Sequence, residues 1–527
     1  MLARRRSDLA VAALLTVWAA LPLLLLAWAW RHGDVLTGSD GALPGADQLY
    51  YLSLARESGA HVLFGDRFDL GPVARVGFNP VHLASGLAAR LGLDPRAALW
   101  LWKPVAALVL TGGFAAYVRG FRLGRAGTAA ALALALAYFS PLLPVLDWTG
   151  VLDPFQRFLA LLVSGELMPA WQLWGYTHAA LALGAMAGAA VFAERALSAA
   201  DRAARRRAVA VTAGLGALVA LLHPWQGATL ALMLAGAAAW EAGGPSPASA
   251  PARERLRSVL AVLVPLAAIA AVLVYLLVLS QTDPHWEADG RQSEAPQFGV
   301  GYLLLGFGPL AALAALGVPR HPDGPRERLL LLWPVAAFAV YLAVSNSRFH
   351  AFQGMSLPLA ILAVRGWRRL RLPRMAGVLA VAAVTLPGLA YEIDTLRRSV
   401  ALDRNPYYLR PAEARALTHL QDRRVPGGVL APASIGMAVP ARAGRSTWVG
   451  HFAWTPDYAA RHDQAEALFS GRMPAGAALA LVRATGARFL LSDCGARPDL
   501  TPALRPLRPA VRRFGCATVY ELPAPAR

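Results

Sequence analysis

The sequence predicts an α-helical polytopic membrane protein of about 11 transmembrane helices, followed by a C-terminal extracytoplasmic α/β domain. Of its 527 residues, 56% are hydrophobic and 16% are charged, whereas soluble proteins carry about 25% charged residues. The charges are clustered, and the apolar runs between clusters approach the roughly 20 residues that a helix needs to cross a bilayer. Arginines also concentrate in every second loop between these runs.

The first apolar run, from Leu9 to Trp30, follows three consecutive arginines. Ala27-Trp28-Ala29 has the form of a signal-peptide cleavage site, but the apolar core is long for a signal peptide, so we expect an uncleaved helix. The other predicted spans, several of them rich in Ala, Gly and Leu, lie at 98–117, 127–146, 173–193, 208–222, 227–241, 258–280, 299–318, 329–345, 351–366 and 375–391.

The arginines predict how these helices are oriented, because arginine near helix ends marks the cytoplasmic side. Alternate loops near residues 1–8, 118–127, 194–207, 242–257, 318–328 and 365–374 hold 22 arginines, and the intervening short loops hold Arg157, Arg291 and Arg348. We therefore expect a cytoplasmic N-terminus in the cell (cytoplasmic) membrane, with residues 31–97 and the chain after 391 outside. The net charge of +19 then reflects topology rather than a face that binds nucleic acid.

Two regions are predicted to lie in water. The predicted domains are a transmembrane domain, 1–391, which includes a long external loop at 31–97, and an extracytoplasmic α/β domain, 392–527. Within the loop, the pattern over Leu49–Glu57 predicts an amphipathic helix at the membrane surface. In the C-terminal domain we predict strands at Gly428–Ala431, Thr447–His451, Arg488–Ser492 and Thr518–Leu522, and helices at 411–424, 457–470 and 475–486.

Both cysteines, Cys494 and Cys516, fall in the domain that is predicted to be external. Disulfides persist outside the cytoplasm, so we expect a bridge between them, and the alternative is two buried thiols. Two cysteines are too few for a structural zinc site unless histidine joins them. The sequence contains no P-loop, no G-x-G-x-x-G after a strand and no H-E-x-x-H.

The most informative segment is residues 38–57, GSDGALPGADQLYYLSLARE, just outside the first span. Asp47 opens its helix, and one interpretation of Asp47 is an N-cap. Asp-x-x-x-Tyr followed by Ala-Arg-Glu in the first external loop resembles the GT-C superfamily of membrane glycosyltransferases. The closest resemblance is to its protein mannosyltransferase and aminoarabinose transferase branch. Gln48 stands where that branch has Glu, which weakens the case for a second carboxylate or a metal there.

The resemblance implies a function on the outer face of the membrane. A sugar would pass from a polyprenyl-phosphate carrier to an external glycan, lipid or protein acceptor by an inverting displacement. Asp47 would act as the general base, with Asp40 as the reserve candidate, and Tyr51 and Arg56 of the same segment would bind substrate. No cofactor is expected with certainty, and a divalent metal is left open. Residues 449–458 are also similar to uncharacterised actinobacterial membrane proteins, which adds no chemistry.

Three further candidates come from the residues themselves. Arg348 is the single arginine of an otherwise uncharged external turn, and a guanidinium can bind a phosphate in bidentate fashion; the alternative is an interfacial anchor. His223 lies at a turn between two short spans and could be functional or part of a capped helix break at Pro224. His82, Glu166 and His178 could line the same external cavity as His223.

Two other functions compete with a glycosyltransferase. A transporter would show inverted repeats, interrupted helices and charges within its spans, and no clear repeat is evident. A non-catalytic assembly or lipid-binding protein on a GT-C-like scaffold remains the other alternative, because a fold does not determine a function.

Overall fold

The computed structural model describes residues 2–30, 33–41, 46–243, 252–400, 407–496 and 499–523. Part of the informative segment, residues 42–45, lies outside the described residues. The chain divides into two compact units. The first, which we call the helical unit, comprises Met1–Leu21, Trp102–Leu277 and Glu294–Thr395. The second, the α/β unit, comprises Pro22–Leu101, Val278–Ser293 and Leu396–Arg527.

Helices dominate the described chain. In chain order they are α1 Leu2–Ala29, α2 Ala46–His61, α3 Pro80–Arg90, α4 Pro95–Trp100, α5 Trp102–Gly120, α6 Gly124–Ala137, α7 Leu142–Trp148, α8 Pro154–Glu166, α9 Thr177–Ser198, α10 Arg202–Leu222, α11 Pro224–Gly243, α12 Ala252–Thr282, α13 Pro284–Gln292, α14 Val300–Gly317, α15 Gly324–Ala343, α16 Ser356–Arg369, α17 Arg374–Val400, α18 Pro411–Asp422, α19 Ala433–Gly436, α20 Tyr458–Phe469, α21 Ala475–Thr485 and α22 Thr501–Leu504. The strands are β1 Val35–Leu36, β2 Tyr408–Leu409, β3 Val429–Leu430, β4 Phe489–Ser492, β5 Ala510–Arg513 and β6 Thr518–Glu521.

A helix occurs at each predicted span, because long apolar runs without charges satisfy their backbone hydrogen bonds internally. Among the described residues, six helices are long and apolar enough to cross a membrane, or seven if α6 and α7, which meet at a bend of 43°, form one span. The protein is thus a multi-pass membrane protein. The remaining predicted spans correspond to shorter or more polar helices, so the total of about 11 stays a prediction.

Small residues let helices of the helical unit approach closely. A Cβ atom added at Gly113 in α5 would lie 2.0 Å from the carbonyl oxygen of Gly184 in α9. A Cβ atom at Gly317 in α14 would lie 1.8 Å from the carbonyl oxygen of Leu362 in α16. Neither distance is possible for real atoms, so these two helix pairs depend on glycine, as is common in membrane helix packing.

The α/β unit contains a four-stranded sheet of order β3-β4-β6-β5, in which β3 and β4 are parallel and the other pairs are antiparallel. The predicted strands at 428–431, 488–492 and 518–522 and all three predicted helices are present. The predicted strand Thr447–His451 is wrong: it forms a single bridge from Thr447 to Val429 and then turns. Strand β5 escaped prediction because its Ala-Val-Arg-Arg sequence is exposed along its length and lacks an apolar alternation.

The long loop at 31–97, which is predicted to be external, folds with the C-terminal residues. Strand β1 pairs with β2 across the chain, and the Thr447 N–H donates to the Arg67 carbonyl at 2.9 Å. The compact units therefore divide the chain differently from the predicted boundary at 391, because residues 22–101 group with the C-terminal region. The position of the membrane boundaries themselves stays a prediction.

Cys494 and Cys516 form a disulfide whose Cα atoms are 4.8 Å apart. The bridge joins the residues that follow β4 to those that precede β6, with a sequence separation of 22. Closing a loop of this length reduces the conformational freedom of the unfolded chain and stabilises the fold by about 3 kcal/mol.

Helix α2 differs in its surroundings from the predicted surface helix. Its residues Gln48, Leu49, Tyr50, Leu52 and Ser53, which point in different directions around a helix, are all buried. The helix is therefore an internal element of the α/β unit rather than an amphipathic helix with one wet face.

We expect cysteine labelling from outside the cell to reach a probe at Ser293 but not one at Ser198, because the alternate arginine-rich loops predict these two residues on opposite sides. The experiment needs no prior removal of cysteines, since no free cysteine occurs among the described residues and both native ones are in the disulfide. A membrane-impermeant maleimide applied to whole cells and to broken cells makes the measurement. Labelling of Ser198→Cys but not Ser293→Cys in whole cells would invert the orientation.

Candidate functional site

Asp47 and His451 form a hydrogen-bonded pair in the α/β unit. Asp47 stands in the first turn of α2, and the His451 Nε2 atom lies 2.8 Å from the Asp47 Oδ1 atom, although the two residues are 404 positions apart in the chain. The His451 side chain is 3% exposed and the Asp47 side chain is 20% exposed. The histidine is thus enclosed, while the carboxylate is accessible enough to meet a substrate.

Backbone contacts determine which nitrogen of His451 carries the proton. The Ala453 N–H donates to the His451 Nδ1 atom at 3.2 Å, so Nδ1 acts as an acceptor and the proton of the neutral ring is on Nε2. His451 therefore donates to Asp47 and orients its carboxylate. The turn that carries His451 is itself held by α13, because the Gln292 amide donates to the carbonyl oxygens of Ala453 and Thr455, each at 2.9 Å.

Aromatic rings surround the pair. Tyr50 stacks on Trp454 with ring centroids 4.7 Å apart, and Tyr51 stacks on His82 with centroids 5.6 Å apart. Burial raises the pKa of Tyr51 well above its ordinary value, and the charge of Asp47 raises it further. The predicted residues Asp47, Tyr51 and His82 therefore belong to one neighbourhood, in which Tyr51 is a neutral hydroxyl.

Gln48, which replaces the expected second acid, has a structural role. Its side chain is buried, accepts a hydrogen bond from the Ser39 hydroxyl at 3.1 Å and packs against Gly41. Asp40, the reserve candidate for the base, is also buried, with 5% of its surface exposed. Burial raises the pKa of nearby Tyr407, and the charge of Asp40 adds to this effect. Asp47 is the more accessible of the two predicted bases.

Arg56, a predicted substrate ligand, is directed at the backbone. Its Nη1 atom lies 3.5 Å from the Ala441 carbonyl oxygen and 3.4 Å from the Arg442 carbonyl oxygen, and burial lowers its pKa. These contacts join α2 to the turn at Val439–Ala443. The neighbouring Glu57 is likewise committed, because Arg67 and Arg75 bind its carboxylate at 2.6 and 2.7 Å.

A second cluster of charged groups lies in the same unit. The His285 Nε2 atom is 3.8 Å from Asp66 and 3.6 Å from Asp69, and Arg461 binds Asp69 at 2.6 Å. Burial raises the pKa of Asp66 to about 7, although His285 opposes the shift. Interaction with Asp69 raises the pKa of His285. Burial alone would raise the pKa of Asp69, but His285 and Arg461 outweigh it and lower that pKa.

We expect the protein to lose stability as the pH rises from about 4 to about 7, and the variant Asp66→Asn to lose less over that range. A carboxyl whose pKa is raised on folding contributes stability below its unfolded pKa and loses it as the pH rises through the folded pKa of about 7. The raised pKa of His285 also lowers stability as the pH rises, whereas the lowered pKa of Asp69 affects stability only in acid. Asp66 contributes at most about 4 kcal/mol to the free energy of unfolding. The measurement is the apparent Tm as a function of pH, with Asp69→Asn as the control. Parallel curves for the wild type and Asp66→Asn would contradict the prediction.

In the helical unit, Arg348 begins a 3-10 turn, Arg348–Phe352, after Ser347, whose φ of 40° is left-handed. The guanidinium lies 5.7 Å from the centre of the Tyr341 ring. Its Nε and Nη1 atoms are buried and have no hydrogen-bond partner among the described residues. Buried donors without partners are costly, so this arrangement fits an anionic group that the chain itself does not provide.

Histidines gather beside this turn. The His350 Nδ1 atom lies 3.2 Å from both carboxylate oxygens of Glu166, and the His350 ring is 5.3 Å from the His223 ring, centre to centre. The His178 ring is 6.4 Å from His223. The structure thus brings together Glu166, His178 and His223, which were predicted to line one cavity, and adds His350, whereas His82, predicted for the same cavity, belongs to the α/β unit.

The structure divides the predicted site residues between its two units: Asp40, Asp47, Tyr51, Arg56 and His82 belong to the α/β unit, and His223 and Arg348 belong to the helical unit. His451 was not predicted to take part. The available signal was a lone histidine in the aromatic stretch 449–458, but pairing with Asp47 depends on a fold contact that no local pattern encodes.

Hard divalent cations prefer several carboxylate and carbonyl oxygens. Within the described ranges, no group of three or more His, Cys, Asp or Glu side chains is arranged to hold a metal ion.

Comparison with known proteins assigns the fold. No protein-family model matches the sequence, and no curated protein matches it. The crystal structure of the Archaeoglobus fulgidus oligosaccharyltransferase tethered to an acceptor peptide aligns over 92% of this chain and 69% of its own, with 12% identity and a TM-score of 0.56. Its complex with zinc and sulfate aligns over 92% and 68%, with 11% identity and a TM-score of 0.52.

A further similar structure is ArnT from Cupriavidus metallidurans, which aligns over 97% of this chain and 98% of its own, with 16% identity and a TM-score of 0.49. The chain has the fold of the oligosaccharyltransferase. That protein is a membrane glycosyltransferase of the GT-C superfamily, so the resemblance seen in residues 40–57 is confirmed at the level of the fold.

Proposed function

We propose that the protein is a polyprenyl-phosphate-sugar-dependent glycosyltransferase that acts on the outer face of the cytoplasmic membrane. The observation that carries the proposal is the buried Nε2–H of His451, which orients Asp47 at 2.8 Å in a chain with the GT-C fold. A carboxylate that is oriented but partly accessible is suited to accept a proton from an attacking hydroxyl.

The proposed reaction is a single displacement with inversion. The acceptor hydroxyl oxygen attacks the anomeric carbon, and Asp47 takes the hydroxyl proton. The bond from the anomeric carbon to the phosphate oxygen breaks, and the polyprenyl phosphate leaves with the electron pair. Arg348 is proposed separately as a phosphate ligand in the helical unit, because two of its donors have no partner among the described residues and can bind an anionic oxygen.

His451 acts as a positioning residue. By donating from Nε2 it directs one oxygen of Asp47, and it is enclosed by Tyr50 and Phe68, whose ring centres lie 5.5 and 6.0 Å from its own. Tyr51 and His82, stacked beside Asp47, offer a surface for the sugar or the acceptor. The tethered acceptor peptide belongs to the oligosaccharyltransferase; the acceptor of this chain is proposed more broadly as an external glycan, lipid or protein.

A transfer assay tests the proposal. Purified protein in vesicles would receive synthetic polyprenyl phosphates that carry labelled hexoses or pentoses, together with extracted envelope glycans, lipids and proteins as acceptors. We expect at least one donor to be consumed, with the product anomer inverted relative to the donor. Retention of the anomeric configuration would contradict the single displacement. Consumption of no donor would favour the non-catalytic, lipid-binding alternative.

A further inference from the structure

A long groove in the helical unit has no part in the proposed reaction. It has a volume of about 1070 Å³ and is formed by α6, α14, α16 and α17. Apolar side chains cover most of its length, among them Ala130, Leu134, Leu313, Val381 and Leu386. Two of its helices, α14 and α17, are long and apolar enough to cross a membrane, so lipid chains are the solvent to which the groove is open.

One end of the groove differs sharply in charge from the rest. Arg125, Arg368, Arg371 and Arg374 line it, and no acidic residue does. Among the described residues, none of the four takes part in a salt bridge, and the one hydrogen bond found for their side chains joins the Arg368 guanidinium to the Leu123 carbonyl. The lining of the basic end therefore carries a net positive charge.

The dimensions of the groove fit one leaflet of a bilayer. On α17 its lining extends from Arg374 to Leu386, which at 1.5 Å per residue is about 18 Å. Half of a bilayer core is about 15 Å thick. A chain that starts at the arginines would therefore reach about the middle of the membrane.

We propose that this groove is a binding site for a membrane phospholipid whose headgroup carries a net negative charge. Its phosphate would lie against the four arginines, and one acyl chain would lie along α6 and α17. Arginine binds phosphate through several donors at once, and each basic residue near an anionic membrane surface strengthens the attraction about fivefold. The first turn of α6, which has no side-chain cap, adds N–H groups that favour an anion.

The inference is independent of the glycosyltransferase proposal, because it uses none of the residues of that site. The arginine-rich loops place the headgroup in the cytoplasmic leaflet if the predicted topology holds. A zwitterionic lipid would fill the groove with its chain but would not neutralise the arginines. Free phosphate would meet the arginines but would leave the apolar groove without an occupant.

Native mass spectrometry of the full chain, released from nanodiscs that contain equal amounts of phosphatidylglycerol and phosphatidylcholine, tests the site. We expect the wild type to retain phosphatidylglycerol in about tenfold preference. In the double variant Arg125→Gln/Arg371→Gln this retention should fall about 10- to 30-fold, whereas Arg206→Gln/Arg207→Gln, which changes two exposed arginines of α10, should behave as wild type. Millimolar inorganic phosphate should not displace the lipid.

A second variant tests the groove without altering charge. Ala133→Trp places a large ring among the groove residues and should also abolish retention, whereas Ala267→Trp, at an exposed position of α12, should not. Three results would overturn the proposal: equal retention of both lipids by the wild type, wild-type retention by the double arginine variant, or displacement by phosphate alone, which would indicate a site for a free anion.

Discussion

Asp47→Asn is expected to reduce turnover by about 100-fold or more, the range found when a general base is lost. The substitution keeps an oxygen that can accept the His451 hydrogen bond, which measures 2.8 Å in the wild type, and asparagine caps a helix about as well as aspartate. What it removes is the ability to take a proton. Initial rates of sugar transfer at saturating donor, per amount of folded protein, measure the effect.

The matched control is Asp94→Asn, because Asp94 caps α4 in the same unit by accepting from the N–H groups of Arg96 and Ala97. Both variants lose one negative charge at a helix N-terminus, so a general effect of charge or capping would appear in both. We expect Asp94→Asn to keep wild-type turnover. Full activity of Asp47→Asn would remove Asp47 from the mechanism and direct attention to Asp40.

The helices were predictable because membrane crossing imposes a strong local requirement. A run of apolar residues such as 258–280 must satisfy its backbone internally, and the structure has α12 there. The sheet was predictable where β-branched and aromatic residues form a short run, as in Thr518-Val519-Tyr520 of β6, and the prediction failed at β5, where Arg512 and Arg513 are exposed. Local pattern decides these elements, so a single sequence contains the information.

The site was only half predictable for the opposite reason. Asp47 became a candidate because a motif within residues 31–97 resembles a known superfamily, and that motif is local. His451 was not predicted, because its contact with Asp47 joins positions 404 residues apart and depends on how residues 31–97 fold with the C-terminal residues. The position of Gln48 illustrates the same limit, since only the fold shows that its amide is used to hold Ser39.

Several buried polar groups of the helical unit have no hydrogen-bond partner among the described residues. Their burial costs free energy, and the fold alone does not explain why that cost is present. Arg348 has two buried donors without partners among the described residues, and His223 Nδ1 and Gln353 Oε1 are in the same condition. Protein interiors satisfy most such groups. Groups left unsatisfied together, in one turn and its neighbours, are a feature of sites that are completed by a ligand rather than of structural cores.

Arg348→Ala is accordingly expected to weaken donor binding, with a rise in KM of about 10- to 100-fold, since hydrogen bonds to a charged group contribute about 1.5 to 3 kcal/mol each. Arg348→Lys should recover part of this loss, because an ammonium keeps the charge but lacks the planar pair of donors. If the guanidinium also stabilises the leaving phosphate, kcat should fall while KM rises. The change in KM then reports donor binding in the ground state, and the change in kcat reports stabilisation of the transition state.

Stability distinguishes this role from that of an interfacial anchor. Arg348→Ala removes two buried hydrogen-bond donors that have no partner among the described residues. The apparent Tm, measured without the sugar donor, should therefore stay unchanged or rise, whereas loss of an interfacial anchor would lower it. Arg291→Ala is the control, because Arg291 is an exposed arginine paired with Glu287 and should change neither KM nor Tm. An Arg348→Ala protein with wild-type KM and a lowered Tm would establish the anchor and exclude Arg348 from phosphate binding.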